Sequence, residues 1–589
     1  MTDEQRARAE ANKAAALARR AAALAAAPGG TPAGSSPASP LSPSAASVVP
    51  PERCRPLNAK PAHPTRGSYV LLWVQSAQRA RHNEALELAV QRANAHAAPL
   101  VAVFGATAGF PGASERHLGF MYEGLVELRR TLESTRGIHL LAFIGAEPSD
   151  VIAAACEGAI ECVVDAGYTR VLRRWRAHVA AAAPCLVTEV ESEVVVPVYS
   201  RGGGAGRPEP AAATLRPKIL SRLAALTARA LEATPLTMRL DSAASALALL
   251  QRGTRGDTGA GGCAMDAFPP LPLAEGVDAC LDALDASRGG EGKGVDRSVK
   301  RCSGYHAGGE TEAHRKLDRF LAHRLTRYAT HRNDMGLGLQ SHLSPHVHYG
   351  QISVVYVAHR ALATARERPD LQRGVDVYLD ELVVRRELAV NFVLNNPKYD
   401  QYEGVPGWAR QTLAEHSGDD RAYEYTLEQF EACNTHDALW NAGQRELVVS
   451  GKQHNMMRMY WGKKILEWSS DPAEGWRIAI HLNNKYSLDG RDPASYTGVG
   501  WCWGLHDREF PEAAVFGKVR RMGESGMRSK FNSGVNAYLQ RWGDGVGGVK
   551  RPAGMAGGSH GSKDGAFKTE SRQRRLEEMF FKRPRTGSG

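Results

Sequence analysis

The run YVLLWV (Tyr69–Val74) decides how the first third of the chain folds. Six apolar residues bounded by Gly67-Ser68 and the polar QSAQRARHN stretch are too few for a buried helix. They fit a strand covered on both faces. A helical pattern follows over Asn83–Ala93. Then come PLVAVFG (Pro99–Gly105), an amphipathic segment from His117 to Thr135, and IHLLAFIG (Ile138–Gly145). A helix near Asp150–Glu157, ECVVDA (Glu161–Ala166) and PCLVTEV (Pro184–Val190) complete the series. Strands alternating with helices predict an α/β domain, a doubly wound, Rossmann-like parallel sheet over 67–200. No G-x-G-x-x-G follows the first strand, so ordinary dinucleotide binding is not indicated there. RGGGAG (Arg201–Gly206) reads as a flexible linker.

Outward from this domain the composition changes. Residues 1–66 are rich in Ala, Ser and Pro and nearly free of aromatics, which predicts a disordered tail. Arg6, Arg8, Lys13, Arg19 and Arg20 resemble an organelle transit peptide, whereas Asp3, Glu4 and Glu10 argue against one. Residues 201–310 read as an interdomain connection. It has Gly-rich insertions at Arg252–Gly262 and Ser287–Gly309, and short helices at Ala243–Leu250 and Val277–Leu284. From 311 to 543 long helical patterns dominate, and eight of the ten tryptophans lie beyond residue 400. A basic tail, 544–589, closes the chain. Its QRRLEEMFFKRPR (Gln573–Arg585) reads as a nuclear-import or DNA-attracting element. It only partly resembles a sliding-clamp peptide, because Met579 stands where an aromatic belongs.

The net charge of +11 resides in the two ends. Residues 1–66 hold nine Lys/Arg against four Asp/Glu, and residues 545–589 hold ten against four, so the body between sums to zero. Any DNA site in the body must therefore come from a local basic patch. The nine cysteines form no C-x-x-C pair, which points to neither a zinc site nor a disulfide framework and fits a reducing compartment. No apolar run reaches the roughly 20 residues that span a bilayer.

Four segments carry the chemistry. The first is FLAHRLTRYATHRND with SHLSPHVHYGQIS (Phe320–Ser353). The second is LDELVVRRELAVNFVLNNPKYD (Leu379–Asp400). The third is THDALWNAGQRELVVSGKQHNMMRMYWGKKILEW (Thr435–Trp468). The fourth is HLNNKYSLDGRDP with GVGWCWGLHDREF and VFGKVRRM (His481–Met522). Trp461 and Trp468 are seven residues apart, two helical turns, with Cα atoms about 10.5 Å apart on one face. That spacing suits electron hopping between indoles and suits a buried core stripe equally. Glu381 and Arg385, at i and i+4, read as an ion pair on a helix. Ser341 and Ser344 before a proline read as a cap and turn.

In order and spacing these segments resemble the FAD-binding domain of class II cyclobutane pyrimidine dimer photolyases, within the photolyase/cryptochrome family. WVQSAQRARHNEAL (Trp73–Leu86) is similar to the start of that class's N-terminal domain. The resemblance implies an all-α FAD domain behind the α/β domain. It places Tyr328, Ser341, Leu343, Ser344, Arg458, Asp489 and Asn483 around the cofactor, with Asn483 facing flavin N5 and Arg458–Asp489 as a salt bridge beside the flavin ring. It assigns Trp461, Trp440 and Trp468, with Tyr460 beside them, to the chain that reduces photoexcited flavin. By the same resemblance Glu381, Met459, Trp501, Arg332, Asn333 and Arg521 would meet the lesion or its phosphates, and Lys463, Lys464 and Arg520 are candidate backbone contacts. The activity implied is repair of pyrimidine dimers by one electron from photoexcited, reduced, anionic FAD, with no metal. The partner is UV-damaged DNA, bound by a monomer in the nucleus, with chloroplast or mitochondrion as the other destinations. An antenna, 8-hydroxy-deazaflavin or methenyltetrahydrofolate, belongs to the N-terminal domain by the same analogy. A cryptochrome-like blue-light sensor is the rival reading. The sequence departs from the class pattern at Met335, at Asn455 and Met456, at Ala494 and Ser495, and from some relatives at Arg385.

Overall fold

The computed structural model describes residues 48–63, 65–200, 206–253, 263–287 and 294–544. The charged alanine-rich segment read as a targeting element lies outside the described residues, as do most of the RGGGAG linker, residues 254–262 and 288–293 of the two Gly-rich insertions and the basic tail beyond Asp544.

Six strands form one sheet: β1 (Cys54–Pro56), β2 (Tyr69–Trp73), β3 (Leu100–Ala106), β4 (Leu140–Ile144), β5 (Ala159–Asp165) and β6 (Leu186–Val190), in the order β1-β6-β5-β2-β3-β4. β2 through β6 are parallel, as the sequence predicts. The pleat sends alternate side chains to opposite faces. Val70 and Leu72 enter one apolar core, and Tyr69, Leu71 and Trp73 enter the other. The chain leaves β2 toward β3 and β4, then returns to β5 and β6 on the other side. This is the topological switch that opens a crevice at the carboxyl ends of the central strands.

Two sequence expectations are corrected. The disordered tail does not reach residue 66. Cys54–Pro56 pairs antiparallel with β6, and Arg53 donates to the carbonyls of Glu191 (2.8 Å) and Val194 (2.9 Å). Edge pairing is a backbone interaction, so a segment poor in apolar residues can still join a sheet. The 201–310 stretch is more than a connection. Helices Ala212–Leu226, Ala243–Gly253 and Val277–Ser287 contribute Ile219, Leu250 and Leu281 to three of the apolar cores.

Beyond Glu310 the described chain is helical through to Glu524–Trp542, a helix that bends at Phe531. Its largest core gathers Trp440, Trp461, Trp468, Trp476, Trp503 and Trp542. All nine cysteines are free thiols, and no helix among the described residues is long and apolar enough to cross a membrane.

The α/β domain braces the helical domain through buried polar contacts. The Arg116 guanidinium donates to the carbonyls of Leu447, Val448 and Tyr486, at the carboxyl ends of Ala438–Ser450 and Pro472–Tyr486. Carbonyls at a helix end need partners from outside the helix, and the Leu447 carbonyl also accepts from the capping Gly451 N–H (3.0 Å). His117 Nε2 meets the Ser487 carbonyl (3.1 Å). Arg79, buried between Glu84 and Glu193, donates to the Gly350 carbonyl (3.0 Å). Gly350 has φ +60°, and a Cβ there would lie 1.8 Å from the Ser76 carbonyl oxygen. Gly350→Ala is therefore expected to cost at least about 2 kcal/mol, through left-handed backbone strain and steric overlap. Thermal unfolding of the variant measures it, and an unchanged midpoint would remove Gly350 from the domain junction.

Candidate cofactor and lesion site

A chamber of about 800 Å³ opens into the helical domain, within the size range of cofactor sites. Tyr328, Ser341, Leu343, Ser344, Arg458 and Asp489 all line it, and so do Glu381, Met459 and Trp501. Ten Lys/Arg against six Asp/Glu line it as well, so the neutral body concentrates positive charge here.

The charge is densest at Lys452 and Arg458. Arg458 donates to Asp489 Oδ1 (3.1 Å), which also accepts from Ser487 Oγ (2.5 Å). The Lys452 ammonium donates to Ser344 Oγ and lies 3.7 Å from Asp489 Oδ2. Burial alone would raise the Asp489 pKa, but Arg458 and Lys452 more than offset it and hold the carboxyl well below its usual range. One carboxylate thus faces two cations. Burial lowers the pKa of Lys452, and it lowers that of Lys316 to about 8.

Three histidines on the wall are kept neutral. Burial first, then neighbouring cations, pushes His306 down to about 3, His342 to about 2 and His454 to about 4. Nδ1 of both His306 and His342 is buried without a partner. Excess cations together with orphaned polar atoms fit a buried, polyanionic dinucleotide such as FAD.

At the mouth, the Asp380–Arg385 turn is π-helical, which alters the i, i+4 spacing of an ordinary helix. The Glu381–Arg385 ion pair expected from the sequence is accordingly not formed. Glu381 instead accepts from Arg332 (3.1 Å), while Arg385 lies 3.6 Å from Asp380 and over the Trp501 ring at 4.8 Å. Arg332 therefore touches the chamber through Glu381. Asn333 and Arg521 do not line it, whereas Arg520 does.

Asn483 is buried but is not part of the lining. Its amide donates to Ser495 Oγ (2.6 Å), and Ser495 forms the wall. Trp461, Trp440, Trp468 and Tyr460 stand behind the chamber on two packed helices, Ala438–Ser450 and Asn455–Trp468. Trp461 Nε1 donates to Gln444 Oε1 (2.8 Å) and Trp440 Nε1 to the Trp461 carbonyl (3.0 Å). The Trp440 and Trp468 ring centroids are 6.2 Å apart. Trp440 thus bridges the two tryptophans of the neighbouring helix. Lys463 is not on the surface: it is buried and donates to the Cys502 carbonyl (2.6 Å), while Lys464 pairs with Glu467.

Comparison with known proteins decides what this architecture belongs to. The sequence model for DNA photolyase matches residues 70–233. A deoxyribodipyrimidine photo-lyase of Methanothermobacter thermautotrophicus is 38% identical over 83% of this chain and 98% of its own length. The chain belongs to the photolyase/cryptochrome family. A deoxyribodipyrimidine photo-lyase of Arabidopsis thaliana is 36% identical over 80% of this chain and 88% of its own. A class III photolyase structure from Agrobacterium tumefaciens shares the fold, at TM-score 0.54 and 18% identity over 81% of this chain and 86% of that one. This photolyase is a DNA-repair flavoenzyme of the photo-lyase type, of a family that binds FAD.

Several chamber residues escaped the sequence reading. Lys452 and His454 lie inside SGKQHN, and His342 inside SHLSPH, so the segments were recognised but these side chains were not singled out. Lys316 and His306 sit in ordinary surface-like sequence, and only the fold brings them to the wall.

Proposed function

We propose that this photolyase is of class II and repairs cyclobutane pyrimidine dimers in DNA under near-UV or blue light. One observation carries the reading. A cation-rich chamber backed by a tryptophan series opens at a mouth where Glu381, Met459 and Trp501 meet. Lys452, Ser341 and Ser344 would hold the FAD diphosphate, the Arg458–Asp489 pair would sit beside the flavin ring, and Tyr328 would pack beside the cofactor. Bound there in its reduced form, FAD would supply the light-driven one-electron chemistry that opening the cyclobutane ring needs.

The protein's own residues do the rest. A dimer stacks and pairs poorly, so extruding it from the duplex costs less than extruding normal bases. Trp501 and Met459 offer apolar faces to its rings. Arg332 holds the Glu381 carboxylate as an acceptor for base N–H groups, and Arg385 and Arg520 approach the flanking phosphates. Asn483 acts on the flavin side of the wall, through or beside Ser495. A second cavity of about 410 Å³ lies beyond the carboxyl ends of β3 and β5, lined by Phe110, Thr169, Tyr399 and Arg491. We place the antenna pigment there, 8-hydroxy-deazaflavin or methenyltetrahydrofolate.

Illuminating the reduced, purified protein with UV-damaged oligothymidylate tests the function. Thymine absorbance should recover in the light alone; intact dimers after illumination would overturn the proposal. Glu381→Ala should lower repair per absorbed photon about tenfold or more, since a buried base edge would lose its charged acceptor at a cost of about 1.5–3 kcal/mol. An unaltered quantum yield would take Glu381 out of the lesion site.

A further inference from the structure

Lys463 is a buried cation without an anion to match it. It is 1% exposed, and its Nζ donates to the Cys502 carbonyl (2.6 Å). Among the described residues no carboxylate pairs with it, whereas its neighbour Lys464 pairs with Glu467 (2.7 Å). Lysine is almost never fully buried unless paired, because taking an ammonium out of water is costly. The carbonyl does not explain the charge. Cys502 ends the helix Pro493–Cys502, and its carbonyl needs only a donor, which a neutral amide would supply.

The position of Lys463 does explain it. The lysine lies where the helix carrying Met459, Asn455–Trp468, meets the helix carrying Trp501, Pro493–Cys502. The approach is close: a Cβ on Gly462 would lie 2.7 Å from Cys502 Sγ. Met459 and Trp501 line the chamber and Lys463 does not, so the ammonium stands behind the wall that offers apolar faces to the lesion. We propose that Lys463 is a positioning residue for damaged DNA, whose missing counter-charge is the phosphate backbone brought to the mouth. The inference rests on the lesion site proposed above.

The local charges support this. Burial lowers the Lys463 pKa to about 8, so its charge survives at neutral pH by a narrow margin. Asp507 and Arg520, both in the chamber wall, act on it with opposite sign, the first favouring its charge and the second opposing it. The adjacent Cys502 thiol stays neutral, its pKa pushed up to about 11 by burial. Phosphates drawn to Arg520 would cancel its repulsion and add attraction, strongly so across a water-poor wall. The ammonium would then keep its proton to higher pH. DNA binding and protonation of Lys463 are therefore linked, each favouring the other. The extra affinity is fully present below about pH 8 and is lost as pH rises above it.

The experiment is binding of UV-damaged oligothymidylate to the FAD-loaded protein in the dark, at constant salt, by calorimetry in two buffers of different ionisation enthalpy. The wild type should take up most of one proton per strand bound at pH 9, and its affinity should fall about tenfold from pH 7 to pH 9. Lys463→Gln keeps a donor for the Cys502 carbonyl but carries no charge. It should bind at least about tenfold more weakly at pH 7, with no proton uptake and a flat pH profile. Lys463→Met, with neither donor nor charge, should behave like Lys463→Gln. No proton uptake in the wild type, uptake persisting in Lys463→Gln, or weakening confined to Lys463→Met would overturn the proposal. If damaged and undamaged strands bind alike and light repairs no dimers, the lesion site itself fails. If damaged DNA is preferred and repaired but no proton is linked to its binding, only the role of Lys463 fails.

Discussion

Trp461→Phe is expected to cut light-driven reduction of oxidised flavin about a hundredfold or more, while leaving dimer repair intact when the flavin is supplied already reduced. Benzene is much harder to oxidise than indole, so a Phe at this position interrupts the series where it begins. Each factor of ten in rate corresponds to about 1.4 kcal/mol of barrier. The structural cost is small by comparison. Trp461 is buried, and its N–H satisfies Gln444 Oε1, so Phe removes one hydrogen bond and part of a ring, worth about 1–3 kcal/mol. The separation of two readouts is what tests the role. A merely structural tryptophan would damage photoreduction and repair together. Undiminished photoreduction in a folded variant would remove Trp461 from the electron series.

That two-readout logic follows from how the helices are built. Asp437 caps Ala438–Ser450 by accepting from the Trp440 N–H (2.8 Å), and His454 caps Asn455–Trp468 by accepting from the Met456 N–H (3.2 Å). The caps fix where each helix starts and so fix the register that puts Trp440 against Trp468. The sequence made the seven-residue spacing of Trp461 and Trp468 legible, because helical period is a local property. Helical period alone could not place Trp440 between them, since it lies on a different helix; the family resemblance supplied that residue. The doubly wound sheet was legible for a similar reason: its buried strands announce themselves in short, mostly apolar runs such as YVLLW and LLAFI.

What the sequence concealed depends on tertiary context. β1 earns its place through backbone pairing and the Arg53 guanidinium, neither of which leaves an apolar pattern. The π-helical turn at Asp380–Arg385 breaks an i, i+4 expectation that holds only for regular helix. The neutral net charge of the body hid a strongly basic chamber, because charge totals carry no positions. Ser495, a departure from the class pattern, proves to be the partner of Asn483, a contact invisible from residues twelve apart.

The basic chamber leads to the second large expected effect, a steep loss of stability in mild acid that bound FAD should blunt. His306, His342 and His454 have folded pKa values of about 3, 2 and 4, all below the ordinary value near 6.5 in an unfolded chain. A group whose folded pKa is depressed takes up its proton first in the unfolded state. Stability is therefore complete above about pH 6.5 and is lost as pH falls toward the folded values. At pH 5 each imidazole should cost about 2 kcal/mol, and the three together about 6 kcal/mol, against a total of about 5–15 kcal/mol for a typical domain. Flavin-free protein should thus melt far lower at pH 5 than at pH 7.5. His342 has φ +58°, which Asn tolerates better than most residues, so His342→Asn is the variant to compare. It should flatten the dependence of unfolding free energy on pH by up to one proton, about 1.4 kcal/mol per pH unit between pH 6.5 and 5. An unchanged slope would mean that His342 titrates normally and that the chamber is wetter than its orphaned nitrogens imply. A diphosphate held by Lys452 would neutralise a cation that now disfavours all three charged imidazoles, so saturating FAD should shallow the same slope in the wild-type protein. If FAD bound tightly yet left the acid profile as steep as before, its phosphates would have to lie away from this cluster of lysine, arginine and histidine.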